Sequence, residues 1–378
     1  MNNYSTPSTK IILVRHGRST YNEQGRYQGS SDKSVLTEKG SKAAFQTGLA
    51  LKNYQFDAIY SSPLKRVQQT TQEITKALKT FHNNLPAVTI DRRLKEVKMG
   101  AWEGLPYAYV KEHFSQEYAC WKQTPHLLAL ASEDDPEQQF YPLKDLYQQA
   151  KLLLTDIITK HRGQTVLIVA HGGTNRALIS TGIGLSSEKY QSLQQSNCGI
   201  SCLEFPDDGS LQGELKWLNV TNHLGEYLPK LKEGKTGLRW LLVSNKVQED
   251  YHLQQYLEPE SINLVVSDRN HDSQKLANTC KQQLSQALRL SINHHNFLDF
   301  WHHNMVKKQQ ELASKISSNL ITGLIVAEES LLESIAEKLF QTKLNLSSNN
   351  SFSVIHYPSM NHHPILQGLL PIALSVDY

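Results

Sequence analysis

The sequence predicts an α/β fold on a mostly parallel sheet, followed by a smaller α/β domain. Three observations predict it. Short β-branched runs alternate with longer stretches of helical periodicity. The alternation breaks near Tyr227–Thr236, where Pro229, Gly234 and several lysines fall together, and then restarts. Hydrophobic residues are 39% and charged residues 20% of the 378, a balance that sustains packed cores and argues against disorder.

Taken in order, Lys10–Val14 reads as a buried strand. Thr37–Lys52 reads as a helix with Thr37 as N-cap and Ala43, Ala44 and Leu51 on its apolar side. Phe56–Tyr60 is the next strand; Ser62 then caps a helix with Pro63 at its first position. Val88–Ile90, Thr165–Ala170 and Gly199–Phe205 are further strands. Glu112–Tyr147 is the least legible stretch, with Ser132–Pro142 read as a loop or insertion. Tyr190–Gln195 reads as a polar helix end. Beyond the break, Leu238–Val243, Ile262–Val266, Ile321–Ala327 and Phe352–Tyr357 read as strands.

The second half reads as a worn copy of the first. Residues 241–245 match 12–16, 263–268 match 57–62, 323–328 match 166–171, and 352–358 match 200–206, in the same order. In the copy, Asn245 stands at the place of His16 and Glu328 at that of His171.

A net charge of +3 is too small to argue for nucleic acid. The N-terminus lacks the apolar core of a signal peptide, and no apolar run reaches the length of a membrane span. The four cysteines, Cys120, Cys198, Cys202 and Cys280, lack metal-ligand spacing and read as reduced thiols, so the cytoplasm is the expected compartment. The pairs His294–His295, His302–His303 and His362–His363 are poor chelators without a third ligand, and no aspartate cluster offers a magnesium site. No metal, cofactor, membrane or nucleic-acid partner is expected, and a homodimer stays open.

Four separated blocks carry the chemistry. Residues 13–22, Leu-Val-Arg-His-Gly-Arg-Ser-Thr-Tyr-Asn, place Arg15 and His16 at the carboxyl end of a strand, where open α/β sheets keep their sites. Residues 61–66, Ser-Ser-Pro-Leu-Lys-Arg, put Arg66 on the first turn of a helix, whose N–H groups also attract anions. Residues 94–104 supply Glu96 before a glycine-containing turn, with Glu103 as a rival carboxylate. Residues 170–175, Ala-His-Gly-Gly-Thr-Asn, put His171 at another strand end. A neutral imidazole can attack phosphorus when its other nitrogen is held by an acceptor. Two arginines and a second histidine suit the charge of a phosphoryl group in transfer.

The combination resembles the histidine phosphatase, or phosphoglycerate mutase-like, superfamily over roughly residues 10–225. The resemblance implies its three-layer fold for residues 1–234, with 235–378 as a degenerate, non-catalytic relative. It also implies a metal-independent phosphatase with His16 as nucleophile and Glu96 as proton donor. Arg15, Arg66 and His171 would bind phosphate oxygens, and Asn22, Gln28, Gly29 and Gly172 would complete the pocket. Val-Lys-Met-Gly-Ala-Trp-Glu-Gly after Glu96 is the phosphatase-like version and not the mutase-like one. Residues 28–37 and 193–201, with the long second half, resemble the plant and cyanobacterial 2-carboxy-D-arabinitol-1-phosphatase group, which implies a small sugar-acid phosphate as substrate. Phosphoserine is the rival, weakened by Met99 where some phosphoserine phosphatases carry a polar residue. A mutase and a regulatory protein that merely binds phosphorylated ligands remain as alternatives. Arg18 is either an extra anion contact or a surface residue, and Trp102 and Trp121 read as core or rim aromatics.

Overall fold

In a computed structural model the described residues are 8–132, 135, 137–247, 251–257, 260–284, 286–293, 297, 299, 320–346, 351–358 and 363–372. Of the paired histidines only His363 is among them. The chain divides into two compact units. The first comprises residues 1–191, 195–216 and 223–225; the second comprises 192–194, 217–222 and 226–378. The stretch Tyr227–Thr236 therefore lies inside the second unit. Among the described residues no helix is long and apolar enough to cross a membrane.

The first unit is laid on strands β1 (Ser8–Arg15), β2 (Ala58–Ser61), β3 (Val88–Ile90), β6 (Thr165–Ala170) and β7 (Ile200–Pro206), with a small hairpin of β4 (Leu130–Ala131) and β5 (Gln139–Phe140) apart from them. Their order is β7-β1-β6-β2-β3, parallel except for β7. Ile11–Val14 and Val166–Ala170 are fully buried, as expected of central parallel strands covered on both faces. Each such Ile, Leu or Val contributes about 1.5–3 kcal/mol.

Helices fill the connections: α1 (Thr20–Gln24), α2 (Glu38–Ala50), α3 (Lys65–Leu78), α4 (Tyr107–His113), α5 (Ser115–Gln123), α6 (Pro142–Lys160) and α7 (Gly172–Gly182). Thr37 caps α2, its hydroxyl accepting the Gly40 N–H at 3.1 Å. Helix α3 buries Val67, Thr70, Thr71, Ile74, Ala77 and Leu78, a stripe of helical period. It starts later than the sequence suggests: Leu64 is its N-cap residue and makes no side-chain cap. Ser62 is not the cap, because the helix begins at Lys65 and on that side the Ser62 hydroxyl reaches only to the Leu64 N–H, at 3.5 Å. The stretch read as a loop up to Pro142 holds β5, and Pro142 opens α6, where its missing N–H costs nothing. The stretch read as a polar helix end overlaps a 3-10 helix, Ser187–Ser192, and is buried at Tyr190, Ser192, Gln194 and Gln195.

The second unit holds β9 (Gly237–Ser244), α8 (Tyr251–Leu257), β10 (Ile262–Ser267), α9 (His271–Gln283), β11 (Leu288–Ser291), β12 (Leu320–Ala327), a helix at Glu329–Phe340, β13 (Ser351–Tyr357) and β14 (Ile365–Pro371). Leu369 of β14 pairs with Leu218 of β8 (Glu214–Val220). The order of the first five strands is β13-β9-β12-β10-β11, parallel except for β13. Under the sequence matches this is the order and direction of β7-β1-β6-β2-β3. The register agrees as well. Ser244 lies opposite Ala327 as Arg15 lies opposite Ala170, and Ser267 opposite Val326 as Ser61 lies opposite Val169. Asn245 N–H donates to Ala327 O at 2.9 Å, and His16 N–H to Ala170 O at 2.9 Å.

Candidate active site

Strands β1, β6 and β2 are adjacent and parallel, so their carboxyl ends share one edge. The residue just past each end is His16, His171 or Ser62. Backbone bonds from His16 to Ala170 (2.9 Å) and from Ser62 to Val169 (3.2 Å) extend the ladder by one step and hold the three together. The rings of His16 and His171 stand edge-on with centroids 5.3 Å apart.

His16 is buried, and its Nδ1 lies 2.8 Å from Gly17 O. A carbonyl can only accept, so Nδ1 carries a proton, and in the neutral ring the lone pair is on Nε2. His171 Nε2 lies 2.8 Å from Ser62 Oγ. Burial, reinforced by Arg66, His16 and Arg15, holds His171 well below the usual imidazole range, so it is neutral. Nε2 and the Ser62 hydroxyl share one proton between them, and Nδ1 faces the cluster without a partner.

Both arginines are anchored by backbone carbonyls. Arg15 Nη1 donates to Gln195 O at 2.8 Å; Arg66 donates from Nη1 to Ser31 O at 2.8 Å and from Nη2 to Gly29 O at 2.9 Å. Burial lowers both, Arg66 to about 10, and Glu96 pulls both back up, so they remain cations at neutral pH. Three buried atoms of this cluster lack a partner: Arg15 Nε, Arg66 Nε and His171 Nδ1. Buried polar atoms are ordinarily satisfied, and two orphaned arginine N–H donors with an unpartnered imidazole nitrogen beside His16 mark a place for an anion.

Glu96 is seated on the first turn of α7. Its Oε1 accepts Val97 N–H at 3.0 Å and Thr174 N–H at 3.1 Å, and its Oε2 accepts Gly173 N–H at 3.1 Å. Glu103 is used differently: its Oε1 takes Ser30 N–H (2.8 Å), Ser30 Oγ (3.1 Å) and Met99 N–H (3.1 Å), pinning two loops together. Gly29 is required there, since its φ is +53° and a Cβ would fall 2.1 Å from Glu103 Oε1. Gly172 opens α7 with its Cα beside the Arg15 guanidinium; a Cβ there would lie 3.2 Å from Arg15 Nε.

Gln28 Oε1 accepts from Ser19 Oγ at 2.7 Å and Ser34 Oγ at 3.2 Å. Asn22 hydrogen-bonds the Tyr107 hydroxyl, and Tyr107 and Arg176 both act electrostatically on Arg15. Arg18 is paired with Glu23 at 3.5 Å on the surface. Met99, Trp102 and Trp121 are buried. The fold thus gathers His16, Arg15, Arg66, His171 and Glu96, with Asn22 linked to Arg15 through Tyr107. Sequence reasoning missed Ser62 as the partner of His171, Tyr107, and Asn197, although residues 61–62 and 197 lie in blocks it had singled out.

Two buried histidines among arginines at parallel strand ends define a class, and the family model agrees. The chain belongs to the histidine phosphatase superfamily (branch 1), whose family model matches residues 11–220. It is 37% identical over 196 residues to 2-carboxy-D-arabinitol-1-phosphatase of Triticum aestivum, covering 52% of this chain and 37% of that protein. It is 32% identical over 218 residues to phosphoserine phosphatase 1 of Hydrogenobacter thermophilus, covering 58% of this chain and 95% of that protein. Among solved structures, a phosphoserine phosphatase from Entamoeba histolytica in complex with 3-phosphoglyceric acid is 26% identical, with a TM-score of 0.48, covering 57% of this chain and 99% of that one. The chain spans less than half the length of the curated plant relatives it matches.

Proposed function

We propose that the first unit is a phosphomonoesterase working through a phosphohistidine on a small phosphorylated metabolite. The observation that carries this is the buried His16 ring, held through Nδ1 by Gly17 O, beside two arginine N–H donors and an imidazole nitrogen without a partner. His16 Nε2 attacks phosphorus as the ester P–O bond breaks, and Glu96 gives its proton to the leaving oxygen. Water then attacks phosphorus, Glu96 takes its proton, and the P–N bond breaks to release phosphate and restore His16. Arg15, Arg66 and His171 take the oxygens through the transfer. Asn22, Gln28, Gly29 and Gly172 shape the pocket. No step calls for a metal. The test is hydrolysis of p-nitrophenyl phosphate with and without EDTA, by wild type and His16→Ala. Activity that survives EDTA and vanishes in His16→Ala supports the mechanism; strict magnesium dependence refutes it.

For the substrate we infer a sugar-acid phosphate such as 2-carboxy-D-arabinitol 1-phosphate. Support comes from the likeness to the wheat enzyme and from buried Met99, which has no polar group for a serine carboxylate. Phosphoserine is the second reading, favoured by the near-complete coverage of the Hydrogenobacter protein. Turnover of both side by side decides between them.

We infer that the second unit is a degenerate, non-catalytic relative of the first. The support is chemical as well as topological. At the places of His16, Ser62, Arg66 and His171 stand Asn245, Asp268, Asp272 and Glu328, counted from the matched strand ends. Asn270 Nδ2 donates to Glu328 Oε1 at 2.6 Å, Asn245 Nδ2 to Asn270 Oδ1 at 3.3 Å, and Glu328 N–H to Asp268 Oδ2 at 3.2 Å. Carboxylates and amides that satisfy one another would repel a phosphate.

A further inference from the structure

We propose that Asn197 is a positioning residue for the reaction, one that holds the His16–Gly17 turn and sets the amide of Asn22. This rests on the reading of His16 as the phosphoryl acceptor. Asn197 Nδ2 lies within donating reach of three acceptors: His16 O at 2.9 Å, Gly17 O at 3.3 Å and Asn22 Oδ1 at 3.1 Å. Gly17 O is also the carbonyl that fixes the His16 ring, at 2.8 Å. One amide therefore ties together the nucleophile's backbone, the carbonyl that sets its tautomer, and a side chain of the pocket.

The bond to Asn22 has a directional consequence. Asn22 Oδ1 also accepts from Ser19 N–H at 3.3 Å. With the oxygen engaged on that side, the amide cannot flip, and its NH2 is turned to the Tyr107 hydroxyl, beside Arg15. Asn197, together with the Ser19 N–H, thus sets Asn22 to offer donors and not an acceptor to an anion.

The rest of the loop is built to hold Asn197. Gln195 O accepts Arg15 Nη1 at 2.8 Å, Cys198 N–H donates to Arg15 O at 3.0 Å, and Gly199 N–H to Ser196 O at 3.0 Å. Cys198 is wholly buried at φ +57°, a conformation that residues with side chains adopt rarely and keep where the surroundings dictate it.

The test is a double-mutant cycle on the full chain, read by calorimetric binding of inorganic phosphate. Asn22→Ala and Asn197→Ala should each weaken phosphate by about tenfold, and the double variant should be little worse than the weaker single one, because the two act as a unit. Additive losses overturn the proposal. Asn197→Asp keeps the shape but sets an acceptor against three acceptors, so it should lose at least as much as Asn197→Ala; wild-type affinity in Asn197→Asp overturns the donor role. If thermal melting shows Asn197→Ala unfolded, Asn197→Ser takes its place in the cycle. With p-nitrophenyl phosphate the Asn197 variants should lose kcat together with phosphate affinity. A wild type that binds phosphate without hydrolysing any monoester defeats the phosphatase reading alone, and the binding cycle still decides the role of Asn197.

Discussion

Replacing Glu96 with glutamine separates proton donation from placement. Glu96 holds three backbone N–H groups, those of Val97 and Thr174 on Oε1 and that of Gly173 on Oε2, at 3.0, 3.1 and 3.1 Å. Glutamine keeps one oxygen, enough for Val97 and Thr174, but its NH2 then faces the Gly173 N–H, donor against donor. The lost bond costs about 1–3 kcal/mol of stability, which a melting curve reads. The side chain remains in place, and what disappears is the proton. Loss of a general acid is worth about 100- to 10,000-fold, expressed where the leaving group is poor. We expect kcat/KM of Glu96→Gln to fall by that factor on a sugar phosphate and by less than about tenfold on p-nitrophenyl phosphate, whose leaving group hardly needs a proton. Glu103→Gln is the internal control. All three of its bonds converge on Oε1 at 2.8, 3.1 and 3.1 Å, and a glutamine oxygen can accept every one, so its activity should stay within a few-fold of wild type on both substrates. Equal losses of Glu96→Gln on the two substrates, or a leaving-group-dependent loss in Glu103→Gln, would refute the assignment.

Three further outcomes follow from the same chemistry. His16→Ala should abolish turnover and EDTA should not, both read with p-nitrophenyl phosphate. Burial holds His171 well below the imidazole range and His223 down at about 4, so the unfolded chain takes up these protons first and stability falls as the pH drops below the ordinary imidazole pKa. For His223 the loss is about 1.4 kcal/mol per pH unit between pH 6.5 and 4, and denaturant melts should show His223→Gln flattening that slope. Alanine at Asn245 or Glu328 should leave kcat/KM within a few-fold of wild type; a collapse in rate in a folded variant would mean that the second unit contributes chemistry.

The sequence by itself determined the strands with strong local signals. Thr165–Ala170 and Val88–Ile90 are found at the residues their patterns indicate, and Thr37 caps its helix, because apolar runs and caps act over a few residues. It also pointed to His16, Arg15, Arg66, His171 and Glu96, each in a block with its own local pattern, and the fold brings these five together. Less legible were β8, β11 and β14, and the stretch from Glu112 to Tyr147, where α4, α5 and a two-stranded hairpin follow one another without a clean period. Only the tertiary structure separated the surroundings of Glu96 and Glu103, which lie in one block and differ in which backbone N–H groups reach them. Only it decided that the Ser62 hydroxyl serves His171 across 109 residues instead of capping a helix, and that Asn197 reaches back 181 residues to the carbonyl of His16. Such bonds exist because strands far apart in the chain share one edge of the sheet, where parallel β1, β2 and β6 end and antiparallel β7 begins. No local pattern encodes which hydroxyl or amide will meet there.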